Sequence, residues 1–130
     1  MGSRGAVAKY GYVTDLDYHT VKVTESGVKV LDGYGNNHSL PELAHSPNSI
    51  YARFKDNKLY EIRFFDNKGY PIIELAYHPE PKLNNGDKQC FVLHMHLYKG
   101  LTRLPAEFIT SDVEEKYKDY LKEFELYDKC

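Results

Sequence analysis

Cys90-Phe91-Val92-Leu93-His94-Met95-His96-Leu97-Tyr98 is the stretch that decides the fold. Its odd positions, Phe91, Leu93, Met95 and Leu97, are all apolar, while its even positions carry Cys90, Val92, His94, His96 and Tyr98. Alternation with a period of two belongs to a strand, whose successive side chains leave on opposite faces. The odd face is therefore the one turned to a core.

Upstream the same signal repeats between turn residues. Ile50–Phe54 turns at Asp56-Asn57-Lys58 into Leu59–Phe65, which turns at Asp66-Asn67-Lys68-Gly69 into Tyr70–Tyr77. Gly69 is placed to supply the left-handed residue of a type I turn with a G1 bulge. The register of this pair is open by one residue, and a slip would exchange the faces of every side chain, so Glu61 and Arg63 receive no partners from sequence. Thr20–Thr24 and Val28–Leu31 form an earlier hairpin around Glu25-Ser26-Gly27. Residues 32–48 and 78–88 are rich in Gly, Asn and Pro and read as loops, with Leu40-Pro41-Glu42-Leu43 as one helical turn.

Downstream, Ser111 with Glu114 makes a capping box. Val113, Tyr117, Tyr120, Leu121 and Phe124 then recur at helical spacing as one apolar stripe. The fold expected is α+β: an antiparallel meander and hairpin sheet, with a C-terminal amphipathic helix packed on one face. Residues 1–9 read as a flexible lead-in and residues 10–130 as a single domain.

The bulk properties narrow the function classes. A formal charge of −2 from 17 basic and 19 acidic residues creates no global field toward nucleic acid or an anionic membrane. The longest apolar runs fall far short of the roughly 20 residues that span a bilayer, so no membrane partner is expected. The opening residues contain no apolar segment of a secretory leader. Cys90 and Cys130 are the only cysteines, too few and too far apart for a disulfide framework or a cysteine zinc motif, and a reducing cytoplasm is the expected compartment. Twelve Tyr and no Trp suit half-buried strand faces and binding surfaces alike.

The chemical lead lies in the histidines. His94 and His96 share the strand face opposite the core, with Cα atoms roughly 6.5–7 Å apart. Two imidazoles so placed can act as base and acid, or can clamp a metal ion. Two histidines on a solvent-facing strand with no chemistry are the competing reading. His78 ends the preceding strand and joins the pair if the two strands are neighbours, which makes His78, His94 and His96 the candidate ligands for Zn or another divalent metal. Glu74 and Arg103 are the nearest carboxylate and guanidinium, although solvated surface charge is the commoner fate of such residues. His19, His38 and His45 lie in or beside loops. A His→Gln change at 94 or 96 is expected to leave the melting temperature nearly unchanged, because neither ring faces the core.

Ile72-Ile73-Glu74-Leu75-Ala76-Tyr77-His78-Pro79, followed by Leu93-His94-Met95-His96-Leu97-Tyr98, resembles a small histidine-motif domain of phages and prophages. Such domains occur as C-terminal extensions of phage minor head proteins and, in related form, as modules of bacterial polymorphic toxins. Met1-Gly2-Ser3-Arg4-Gly5-Ala6 is similar to the small-residue lead-in of the phage versions, and the likeness covers residues 1–6 and 50–98. The chain departs from the toxin pattern where Lys82-Leu83-Asn84-Asn85-Gly86-Asp87 replaces a proline-rich spacer, and where Phe91-Val92-Leu93 makes the approach a regular strand.

The resemblance implies a mobile-element protein with a histidine-centred site and ribonuclease-like chemistry on RNA, without a cofactor. His94 and His96 would exchange protons, with Arg103 or a lysine stabilising the phosphorane and His78 and Glu74 alongside. The alternative is a non-catalytic module, virion-associated or directed at a host protein, that grips a protein partner through a Tyr-rich face. The near-neutral charge favours the second and the histidine geometry the first. Either would act in the cytoplasm of a bacterial host or with the virion.

Overall fold

The computed structural model describes residues 6–8, 11–12, 18–33, 39–44 and 46–126. The chain forms β1 (Ala6–Ala8), β2 (Gly11–Tyr12), β3 (Tyr18–Val23), β4 (Lys29–Gly33), β5 (Leu43–Ala44), β6 (Ile50–Lys55), β7 (Lys58–Phe65) and β8 (Pro71–Pro79). A 3-10 turn (Pro81–Leu83) precedes β9 (Phe91–Lys99), β10 (Thr102–Arg103), β11 (Glu107–Phe108), α1 (Ser111–Lys116) and α2 (Lys118–Leu121). Strand predominates, and the helices are short and near the C-terminus.

The main sheet runs β10-β9-β8-β7-β6-β4-β3, with β11 also pairing β9. β6 to β9 form an antiparallel meander. β4 pairs β6 in parallel, with Val30 beside Ala52, so the sheet is mixed rather than wholly antiparallel. The turn between β6 and β7 places Asp56 and Asn57 at φ 52° and 67°, the left-handed pair that a two-residue hairpin requires. Gly69 closes the next turn at φ +87°, where Asp66 Oδ1 accepts from the backbone of Lys68 and Tyr70.

Both faces of the central strands are covered. One face buries Ile62, Phe64, Ile73, Leu75 and Met95, with Leu93 and Leu97 packed beside them, so the odd positions of β9 face the core as their alternation predicts. The opposite face has a smaller apolar cluster at one end, including Leu31, Leu40, Tyr51 and Phe65. Elsewhere that face buries Glu61, Arg63, Glu74, His94 and His96, so the histidine pair lies opposite the main core yet is not solvent-facing.

Three expectations are corrected. The C-terminal segment is not one continuous helix: it breaks at Tyr117 (φ −112°, ψ 21°), whose ring is buried against Phe64 at 4.6 Å. The first helix is capped by Thr110, not Ser111. Thr110 has the extended backbone that a cap needs (φ −81°, ψ 162°), and its hydroxyl accepts from Val113 N at 3.3 Å. Leu40 to Leu43 make no helical turn. The Leu40 and Pro41 carbonyls instead accept from Arg63 at 3.1 and 2.8 Å, and Leu43–Ala44 pairs with β1.

Ala6–Ala8 is paired strand, whereas the rest of the expected lead-in lies outside the described residues. Cys90 is disulfide-bonded, against the expectation that the two cysteines form no disulfide framework. No helix among the described residues is long and apolar enough to cross a membrane.

Candidate functional site

The register left open by the sequence assembles the polar face. Arg63 lies opposite Glu74 and Glu74 opposite His96, while Glu61 lies opposite Ala76 and Ala76 opposite His94. Strands stand about 4.8 Å apart, so each row brings its side chains within reach of one another above the sheet. A bulge between Arg53 and Phe54 leaves Tyr60 as the extra residue of β7, and its ring stacks on His78 at 4.7 Å. After β9 the chain doubles back along the outer edge through β10 and β11, which carries Arg103 and the Leu104 carbonyl to His96.

Backbone carbonyls fix the histidine tautomers. His94 Nδ1 lies 2.7 Å from Val92 O, His96 Nδ1 2.9 Å from Leu104 O, and His78 Nδ1 3.0 Å from Pro79 O. A carbonyl only accepts, so each Nδ1 carries the hydrogen, and in the neutral ring each Nε2 is left with a lone pair. The Nε2 of His96 accepts from Arg103 Nη2 at 3.2 Å. Among the described residues the Nε2 of His94 has no hydrogen-bond partner, although the residue is 0% exposed. Its nearest carboxylate oxygen is Glu80 Oε2, at 4.0 Å.

Charge is arranged around one carboxylate. Glu74 Oε1 receives Arg63 Nη2 at 3.3 Å, Arg103 Nη1 at 3.4 Å and the Tyr98 hydroxyl at 3.1 Å. Burial alone would raise the Glu74 pKa, but Arg63, a hydrogen bond from Glu61 and the Arg103 charge outweigh it and hold the group well below the carboxylate range. Burial and the neighbouring Glu74 charge push Glu61 the other way, so it keeps a proton at neutral pH. Burial pushes the His94 imidazole down to about 4, aided by the nearby His78 and His96 rings, and lowers His78 as well. His94 is thus a neutral base at pH 7.

The structure brings His78, His94, His96, Glu74 and Arg103 together. The His78 and His94 rings meet edge to face at 4.6 Å, and those of His94 and His96 at 5.2 Å. Glu74 is buried, not solvated surface charge, while the Arg103 side chain is 45% exposed and joins the network to solvent. The expected metal set changes. Glu80, not His78, completes a cluster with His94 and His96 in which the ligand atoms lie within 4.8 Å of one another. Sequence reasoning missed Glu80, Glu61 and Arg63; Glu80 sits in a loop where no periodicity applies, and the other two needed the register. His38, His45 and the side chain of His19 lie outside the described residues.

The geometry alters the expected chemistry, since His96 has both nitrogens engaged, Nδ1 on the Leu104 carbonyl and Nε2 on the Arg103 guanidinium, and so offers no proton to a leaving group. What remains is a lone pair without a partner, beside a carboxylate and a second histidine of matching tautomer. Compared with protein-family models, curated proteins and solved structures, the chain matches none significantly.

Proposed function

We propose that this domain is a divalent-metal centre of hydrolytic type, with Glu80, His94 and His96 as the protein ligands. On the sequence resemblance, the reaction is phosphodiester cleavage in a mobile-element setting. The observation that carries the metal reading is the His94 Nε2, fully buried and unpartnered 4.0 Å from Glu80 Oε2. A buried polar atom without a partner costs stability, and a ligand that supplies the missing bond removes that cost. The Nδ1–H bonds to Val92 and Leu104 are the outer contacts that orient metal-ligating imidazoles. Two histidines and a carboxylate match the donor set of catalytic zinc sites that keep a position open. Ligands about 2.1 Å from a tetrahedral ion stand about 3.4 Å apart, so the present separations of up to 4.8 Å must shorten by up to about 1.4 Å. Glu80 lies just before the 3-10 turn, outside regular strand, and is partly exposed, so its side chain can supply the part of that movement that brings the carboxylate to the imidazoles.

Chelator-treated protein titrated with Zn²⁺ or Co²⁺ should bind about one equivalent, with cobalt showing the absorption of a tetrahedral site. His94→Gln should abolish this. Absence of binding by the folded wild type would refute the reading.

A metal-free acid–base centre is the second reading, favoured by His94 being unprotonated at neutral pH. Its weakness is access, because a ring with 0% exposure cannot touch RNA without an opening movement. A bound ion would carry the reacting centre about 2 Å beyond the ring nitrogen. Labelled RNA incubated with and without chelator separates the two. Cleavage that survives the chelator and is lost in the double His94→Gln, His96→Gln variant would favour the acid–base centre.

A further inference from the structure

We infer that the ligand of this site is a phosphoryl oxyanion, held between the open position of the ion and the guanidinium of Arg103; the inference rests on the metal reading above. Without an ion, Arg103 caps the site. Its Nη2 donates to His96 Nε2 at 3.2 Å and its Nη1 reaches Glu74 Oε1 at 3.4 Å. An ion bound to His96 takes that lone pair and also repels the guanidinium. Arg103 must then leave the nitrogen it occupies.

Glu74 permits the departure. The same Oε1 is served by Arg63 Nη2 at 3.3 Å and by the Tyr98 hydroxyl at 3.1 Å, so the carboxylate stays neutralised and hydrogen-bonded without Arg103. Arg63 is fixed by the Leu40 and Pro41 carbonyls and cannot follow. Arg103, with its side chain 45% exposed on the short β10 edge strand, is the mobile partner of the two.

The released guanidinium lies beside a dication with an unfilled position. An anion that bridges the two relieves their repulsion. A carboxylate or an intact phosphodiester has two free oxygens, one for the ion and one for arginine, whereas a terminal phosphoryl group, such as the end that cleavage of a diester leaves, offers one to the ion and two to the guanidinium fork. Metal and phosphoryl group should therefore bind with positive coupling, each raising the affinity of the other by the same factor.

The test is a Co²⁺ titration of chelator-treated protein, alone, with saturating methylphosphonate and with saturating acetate. Methylphosphonate should raise the cobalt affinity of the wild type by about tenfold, within the usual span of coupling between sites, and acetate clearly less. Arg103→Gln should bind cobalt at least as tightly as wild type without an anion and gain less than about threefold from methylphosphonate. Arg103→Lys keeps the charge without the fork, and should also lose most of the gain. Cobalt binding with no methylphosphonate effect, or an effect retained in Arg103→Gln, overturns this inference and leaves the metal reading standing. An equal gain from acetate overturns the phosphoryl assignment. No cobalt binding by the wild type under any condition overturns the metal reading and this inference with it.

Discussion

Arg63 and Glu74 stand opposite each other on adjacent strands, Nη2 3.3 Å from Oε1, and are 6% and 0% exposed. Removing Arg63 leaves buried Glu74 with only the half-exposed Arg103 and the Tyr98 hydroxyl, and loss of one member of a buried pair typically costs about 3–5 kcal/mol. Arg63→Met should therefore destabilise by roughly that amount in urea denaturation at pH 7. The double variant Arg63→Met, Glu74→Leu should lose clearly less than the sum of the single changes. Additive losses would mean that the two side chains do not act as a pair.

Gly69 and Gly27 both adopt positive φ, +87° and +86°, but only one is crowded. A Cβ on Gly69 would overlap the carbonyl oxygen of Ala44, whose own amide donates to Gly69 O at 2.7 Å, whereas a Cβ on Gly27 meets nothing. Gly27→Ala should cost about 1–2 kcal/mol, the conformational penalty alone. Gly69→Ala should cost clearly more, because the backbone of Ala44 has to move. Equal losses in parallel thermal melts would show that the Gly69–Ala44 approach does not limit this turn.

At the start of the C-terminal segment, Thr110 supplies the side chain that accepts from Val113 N. Thr110→Ala should cost about 0.5–2 kcal/mol, and Ser111→Ala should change stability by no more than a few tenths. The opposite ranking in denaturant melts would restore Ser111 as the cap.

What the sequence made legible was set by local periodicity. The strand from Phe91 and its core face and the 56–58 and 66–69 turns were readable because alternation and turn chemistry are local, whereas the approach of His78 to His94 followed only on the condition that their strands pair, as they do. The continuous helix failed because the stripe at Val113, Tyr117 and Tyr120 is equally satisfied by two short segments broken at a buried tyrosine. The burial of His94 and His96 was hidden for another reason. An even position on a strand is solvent-facing only if nothing lies over it, and what lies over these is the edge chain at Arg103 and Leu104 together with Glu80, whose positions no residue pattern records.

His94 is the residue where stability and function should part. Loss of its Nδ1 bond to Val92 O costs about 1 kcal/mol, while removal of the unpartnered Nε2 returns about 1–3 kcal/mol. His94→Phe keeps a ring in the place that meets His78 and His96, so at pH 7 the metal-free protein should be as stable as wild type or more so. The pH dependence follows from the sign of the shift. The folded pKa of about 4 lies below the unfolded value near 6.5, so the unfolded chain binds the proton first as the pH falls. Wild type should accordingly lose stability from about pH 6.5 to pH 4, by up to roughly 3 kcal/mol, a loss that His94→Phe should not share. Glu61 opposes this slope, because its raised pKa favours the folded state in acid and withdraws that support as the pH climbs. The difference between the two proteins is therefore the quantity to measure, by urea denaturation at pH 7 and pH 5 in the presence of chelator. A variant that is severely destabilised at pH 7, or that follows the wild-type acid profile, would show that His94 serves the fold and not a ligand.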